Sequence, residues 1–132
     1  MGQQQLLLIV LGVIIVGIAI VVGINLFNAN SVSANRDAVI SDLNNIGAMA
    51  HQYYMKPTSM GGGGNSFANF NIPSGFSTTP NGTYSIVGTA SATSVTFQGV
   101  GTASVNNTDK VTVDLTVYAP NSSATDTVVV VH

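Results

Sequence analysis

The stretch LLLIVLGVIIVGIAIVVGINLF, Leu6–Phe27, decides how the rest of the chain is read. Of its 22 residues only Asn25 is clearly polar. As a helix rising 1.5 Å per residue it extends roughly 33 Å, enough to cross a hydrocarbon core of about 30 Å. A conventional secretory signal fits poorly, because no basic residue precedes the run and no A-x-A-like site follows it promptly. Gly12, Gly17 and Gly23 are not spaced as GxxxG, yet each allows a close approach of helices. The β-branched Val and Ile between them give stiff, knobbly surfaces suited to dense lateral packing. A single-pass anchor and a polymerisation stalk both remain open at this point.

Beyond Phe27 the pattern changes without stopping. Apolar residues recur at Val32, Val39, Leu43, Ile46, Ala50 and Tyr53, the helical period, with Asn, Ser and Asp on the other faces. The first proline is Pro57. The spacing predicts one helix of about 50 residues, apolar over 6–27 and amphipathic over 28–56, with Asn28–Ser33 the one place where a break is plausible. Lys56-Pro57 ends it, since Pro disfavours helical geometry in the residue before it. The polar segment 1–5 stands ahead of it. A stripe of Val39, Leu43, Ile46, Ala50 and Tyr53 needs an apolar surface to cover it.

Residues 57–82 form a Gly-, Asn- and Ser-rich loop containing Gly61–Gly64 and three aromatics, Phe67, Phe70 and Phe76, expected to pin it to the domain. The glycine run lacks the Lys-Ser/Thr of a phosphate-binding loop and reads as a flexible linker. Within 83–132 the chain alternates: Thr83–Gly88, Ser94–Gly99, Thr127–His132 and, almost perfectly, KVTVDLTVYA (Lys110–Ala119). Asn81-Gly82, Asn106–Asp109 and Pro120–Ser122 supply turns. These segments predict an α+β fold in which the long N-terminal helix packs on a C-terminal antiparallel sheet of about four strands, apolar on one face.

Composition narrows the chemistry. Only 6% of the 132 residues are charged, with three Lys or Arg against five Asp, and there is no Cys. No basic footprint for nucleic acid exists, and thiolate chemistry is excluded. The lone basic residue near the apolar run, Arg36, is too little to set a membrane topology. His51 and His132 have no partner at ligand spacing, and Asp37 and Asp42 fall on different helix faces. No catalytic residue, metal or cofactor is expected. The N-x-S/T triplets at Asn81, Asn106 and Asn121 are candidate glycosylation acceptors. A surface of hydroxyls and amides has little charge repulsion to keep copies apart.

The order of segments, together with ANRDAVISDLNNIGAMAHQYY (Ala34–Tyr54), resembles the type IV pilin family, including the pseudopilins of secretion systems. The local match looks like the second half of a pilin helix with its aromatic end. The resemblance implies a non-enzymatic filament subunit, membrane-inserted before assembly. It implies prepilin peptidase and inner-membrane assembly machinery as partners, and a homopolymer on the cell surface as the product. Filament-core packing would then fall to Leu7, Leu11, Gly12, Val13, Ile14, Gly17, Ile18, Val21, Gly23 and Ile24. In that family the peptidase cuts after a Gly just ahead of the apolar run. Gly2 stands there, and Gln3 would become the new N-terminus. The family's usual Glu five residues after the cut is Leu7 here, and its basic leader is absent. Cutting after Gly2, loss of Met1 alone and no cutting therefore all stay open. A pseudopilin, a membrane-anchored binding module and a filamentous-virus coat protein are the rival expectations.

Overall fold

A computed structural model describes residues 2–132; the leader position Met1 lies outside the described residues. The chain divides into two compact units, one ending at Ser31 and the other spanning Val32–His132. Helix α1, Gly2–Met55, contributes to both and runs through Asn28–Ser33.

In the second unit α1 lies against a five-stranded antiparallel sheet. Its strands are β1 (Thr78–Thr79), β2 (Gly82–Val87), β3 (Ser94–Ser104), β4 (Lys110–Tyr118) and β5 (Thr127–Val130), in the meander order β1-β2-β3-β4-β5. A one-turn helix α2, Ser74–Ser77, leads into β1. The alternation of β4 sets the sheet's two faces. Val111, Val113, Leu115 and Val117 are buried, while Thr112, Asp114, Thr116 and Tyr118 on the other face are half-buried. The outer face is tied across strands by Thr96 to Thr116 at 3.1 Å and by Gln98 Nε2 donating to Asp114 Oδ1 at 3.0 Å.

The helical stripe meets that inner face. Val39, Leu43, Ile46 and Ala50 are fully buried and share one core with Val95, Phe97 and the β4 side chains. The stripe ends at Tyr54, four residues after Ala50. Tyr53, the expected last member, is half-buried and stands edge-on to Phe70 with ring centroids 5.4 Å apart. Tyr54 packs on Phe67 at 4.8 Å, and Phe70 meets Phe97 at 5.6 Å, so the aromatics of the connecting segment close this end of the core.

Three glycines bring helix and sheet together. A Cβ on Gly47 would lie 3.0 Å from a Leu115 methyl. One on Gly99 would lie 2.7 Å from Val39 Cγ1, and one on Gly101 would collide with Asn35 Oδ1. The sequence places a strand end at Gly99. Instead β3 continues to Ser104, because Gly99 and Gly101 are the inward positions on which α1 rests. Periodicity also passes over β1, whose two residues pair with Thr83 and Gly82 across the Pro80-Asn81 turn. At the chain's end β5 stops at Val130, short of the expected His132.

The run Gly61–Gly64 is not a free linker. It folds back under the end of α1, where Gly63 N donates to the Tyr53 carbonyl at 2.8 Å, Asn65 N to that of Tyr54 at 2.8 Å and Gly64 N to that of Lys56 at 3.0 Å. These bonds satisfy carbonyls that a helix end leaves without partners. Side chains are excluded there: a Cβ on Gly62 would strike the Lys56 carbonyl and one on Gly63 the Ser66 carbonyl.

Candidate functional site

Two features stand out from the fold. One is the apolar part of α1; the other is a set of polar ties that hold the remainder of α1 on its sheet.

The apolar part comes from the residue types alone, since Val, Ile and Leu fill every face of the helix from Leu6 to Phe27. Within its unit nothing covers it. Every large apolar side chain there is exposed, from 53% at Leu11 and Ile14 to 73% at Phe27. Leu7, Val13, Ile18, Val21 and Ile24, named from the sequence, all fall inside that range. Leu7, Leu11, Ile14, Ile18 and Val21 follow one another at steps of four and three and so lie along one row of the helix. Gly17 notches that row. A shallow groove lined by Ile14, Gly17, Ile18, Val21 and Val22 results, its surface almost wholly apolar. Gly12, Gly17 and Gly23 have open space where a side chain would stand. Gly2 and Gln3 lie in the first turn of α1 and are exposed. In length and hydropathy the helix meets the requirement for crossing a membrane.

The ties sit on both flanks of the buried stripe. Toward β1 and β2, Asp42 Oδ2 accepts three hydrogen bonds: from Tyr84 Oη at 2.7 Å, Thr79 Oγ1 at 2.9 Å and Asn81 Nδ2 at 3.1 Å. Partial burial pushes the Asp42 carboxyl up, but the bonds from Tyr84, Asn81 and Thr79 together outweigh it and hold the group below its ordinary value. The same contact, after burial, pushes the Tyr84 phenol well above its usual range. About two turns earlier, Asn35 donates to the Asn81 carbonyl at 2.9 Å and accepts from Ala103 N at 3.1 Å. Toward β4 and β5, His51 Nε2 meets Asp126 Oδ2 at 2.9 Å, and Asp126 Oδ1 accepts from Tyr118 N at 2.9 Å. Tyr54 Oη donates to Asn121 Oδ1 at 3.0 Å.

These contacts give functional-looking residues structural work. His51, which has no partner at metal-ligand spacing in the sequence, pairs with a carboxylate and stands edge-on to Phe67. Asp37 and Asp42 do not form a carboxylate pair; Asp42 turns to the sheet, while Asp37 is exposed. Among the described residues no three His, Cys, Asp or Glu side chains gather as metal ligands would. Of the three glycosylation candidates, Asn81 is locked into the Asp42 tie, Asn121 is bonded to Tyr54, and Asn106 stands exposed in the β3–β4 connection. The Asp42 tie is absent from the sequence reading. Its only signal is an Asp beside the buried Leu43, one residue off the apolar stripe.

Fold and site together define a class: an α+β protein with a membrane-length, uncovered apolar helix on its N-terminal side. Comparison with protein-family models, with curated proteins and with solved structures finds no match to the chain.

Proposed function

We propose that the chain is the structural, non-enzymatic subunit of a type IV pilus-like extracellular filament. Copies are held together by packing of Leu6–Phe27, and each is stored in a membrane before assembly. The observation that carries this reading is the uncovered apolar circumference of α1, which holds no charged side chain over those 22 residues. Such a helix outside lipid leaves on the order of 1,000 Å² of apolar surface in water. At about 25 cal/mol per Å² its covering is worth roughly 25 kcal/mol before ordering costs. Neighbouring copies of the same helix supply a matching surface, and the Gly17 notch accepts a ridge from one of them. Withdrawal from lipid and polymerisation then exchange one apolar surrounding for another, with no charge to bury. The charge-poor surface of the second unit adds little repulsion between copies. Support also comes from the Ala34–Tyr54 pattern and from the antiparallel sheet it packs against.

On this reading prepilin peptidase and inner-membrane assembly machinery are the partners, and cutting after Gly2 would leave Gln3 first. The even apolar circumference suits lipid equally well, which favours a membrane-anchored surface module as the second reading. Fibres on cells making the natural chain separate the two, and replacing Ile14 by Asp tests the packing itself. A carboxylate in the middle of the helix costs about 2.5–3.5 kcal/mol in a membrane. In a helical core the same charge recurs in every copy. Electron microscopy of cells making the Ile14→Asp chain should show no fibres while the second unit stays folded; fibres of normal number and length would defeat the packing reading.

A further inference from the structure

We propose that Asn106 is an N-glycan acceptor of the folded chain and that Asn81, which carries the same kind of sequence triplet, is not. The inference rests on the export to the cell surface contained in the reading above. N-glycosylation joins the side-chain Nδ2 of an Asn to the anomeric carbon of a sugar. The sugar arrives on a lipid-linked phosphate or pyrophosphate donor. The new bond is N–C; the C–O bond to phosphate breaks, the phosphate leaves with the electron pair, and Nδ2 gives one proton to a carboxylate of the transferase. No oxidation or reduction occurs. The transferase must therefore reach a free Nδ2, a free hydroxyl two residues on, and a backbone that can leave its own structure to enter a cleft.

Asn81-Gly82-Thr83 fails two of the three: Thr83 is exposed, but the amide and the backbone of the triplet are held. Nδ2 of Asn81 donates to Asp42 Oδ2 at 3.1 Å, its backbone N donates to Thr79 Oγ1 at 3.2 Å, and its carbonyl accepts from Asn35 at 2.9 Å. Gly82 and Thr83 pair with β1 on one side and β3 on the other. Gly82 is buried, and a Cβ there would strike the Val100 carbonyl. Presenting this triplet requires the sheet edge and the Asp42 tie to open. Asn121-Ser122-Ser123 is intermediate. Its carboxamide oxygen accepts from Tyr54 Oη at 3.0 Å, and its backbone turn is held by Ser122, whose N donates to the Ala119 carbonyl at 2.8 Å and whose Oγ accepts from Ala124 N at 3.1 Å, while among the described residues the Ser123 hydroxyl is not engaged.

Asn106-Asn107-Thr108 meets every requirement. It lies in the connection between β3 and β4, and all three residues are exposed. Among the described residues, neither the Asn106 nor the Thr108 side chain has a hydrogen-bond partner. The segment is held only by backbone bonds, from Val105 N to the Asp109 carbonyl at 2.7 Å and from Asp109 N to that of Asn106 at 3.2 Å. Opening the second of these frees the triplet without disturbing the core, whose nearest member is Val111. A glycan here would also hydrate a surface that has little charge of its own.

The test is peptide mapping by mass spectrometry of the full chain isolated from the cells that make it, with fibres imaged in the same preparation. The expected result is a glycan on Asn106 and none on Asn81. Asn106→Gln and Thr108→Ala should each remove the whole glycan mass, and Asn81→Gln should leave it in place. A glycan on Asn81, one on Asn121 alone, or an unmodified mature chain overturns the proposal. Fibres built from chains with bare Asn106 would sink this site and leave the filament reading standing. Modified chains that form no fibres would do the reverse.

Discussion

Asp42→Asn is the perturbation that reads the helix-to-sheet tie most clearly. Three donors, from Tyr84, Thr79 and Asn81, converge on one oxygen of Asp42, an arrangement suited to an ionised carboxylate. The amide of Asn can place an oxygen in the same position, so shape is kept and charge assistance is lost. Hydrogen bonds to a charged acceptor contribute about 1.5–3 kcal/mol and neutral ones about 0.5–1.5. Summed over three bonds that share an acceptor, and discounted because Asp42 is only half-buried, the loss comes to about 1–2 kcal/mol. For a folded unit of about 100 residues each kcal/mol lowers the melting temperature by about 4–8 °C. Thermal unfolding of the full chain in detergent should therefore show the variant melting about 4–16 °C below the natural protein at pH 7. The pH dependence has a definite sign. The folded carboxyl lies below its ordinary value of 3.8, so its contribution is complete above that pH and is lost as the pH falls through the lowered folded value. The gap between the two proteins should narrow as the pH falls below 3.8 and close once it is below the lowered folded value. Equal melting at pH 7, or a gap that does not narrow in acid, would refute the charge-assisted account.

The other predictions concern packing. Leu43→Ala, at a fully buried position of the stripe, should cost about 2–5 kcal/mol in urea unfolding; a loss under 1 kcal/mol would mean the stripe is not seated on the sheet. Gly99→Ala puts a methyl 2.7 Å from Val39 Cγ1 and 2.9 Å from the Tyr84 ring, and should cost about 1–3 kcal/mol in the same assay. A Cβ at Gly17 has open space and the second unit does not depend on it, so Gly17→Leu should leave the melting of that unit unchanged while fibre yield falls; unaltered fibres would show that the notch is not used.

Much of the fold could be read from particular residues. The four inward positions of β4 and the stripe Val39, Leu43, Ile46 and Ala50 announce themselves by period, because each follows one repeat without interruption. β3 could be read only to Gly99. Glycine signals a strand end when read locally, and the reason these glycines continue the strand is the helix lying on them, a long-range fact. β1 is too short to show a period. The role of Gly61–Gly64 was hidden for a related reason: a glycine run looks like slack chain until the helix end beneath it is in view. The Asp42 tie depends on donors 37–42 residues away in sequence, and no spacing rule reports it. In the apolar helix the residues themselves could be read completely, since hydropathy alone defines Leu6–Phe27. What covers that helix is a matter between molecules.

Cryo-electron microscopy of fibres sheared from the producing cells tests the central claim most directly. The account predicts a helical core built from Leu6–Phe27 of many copies, with side chain against side chain and no lipid between them. A preparation holding only single chains, each with its apolar helix in bilayer or detergent and no fibre containing the protein, would contradict it.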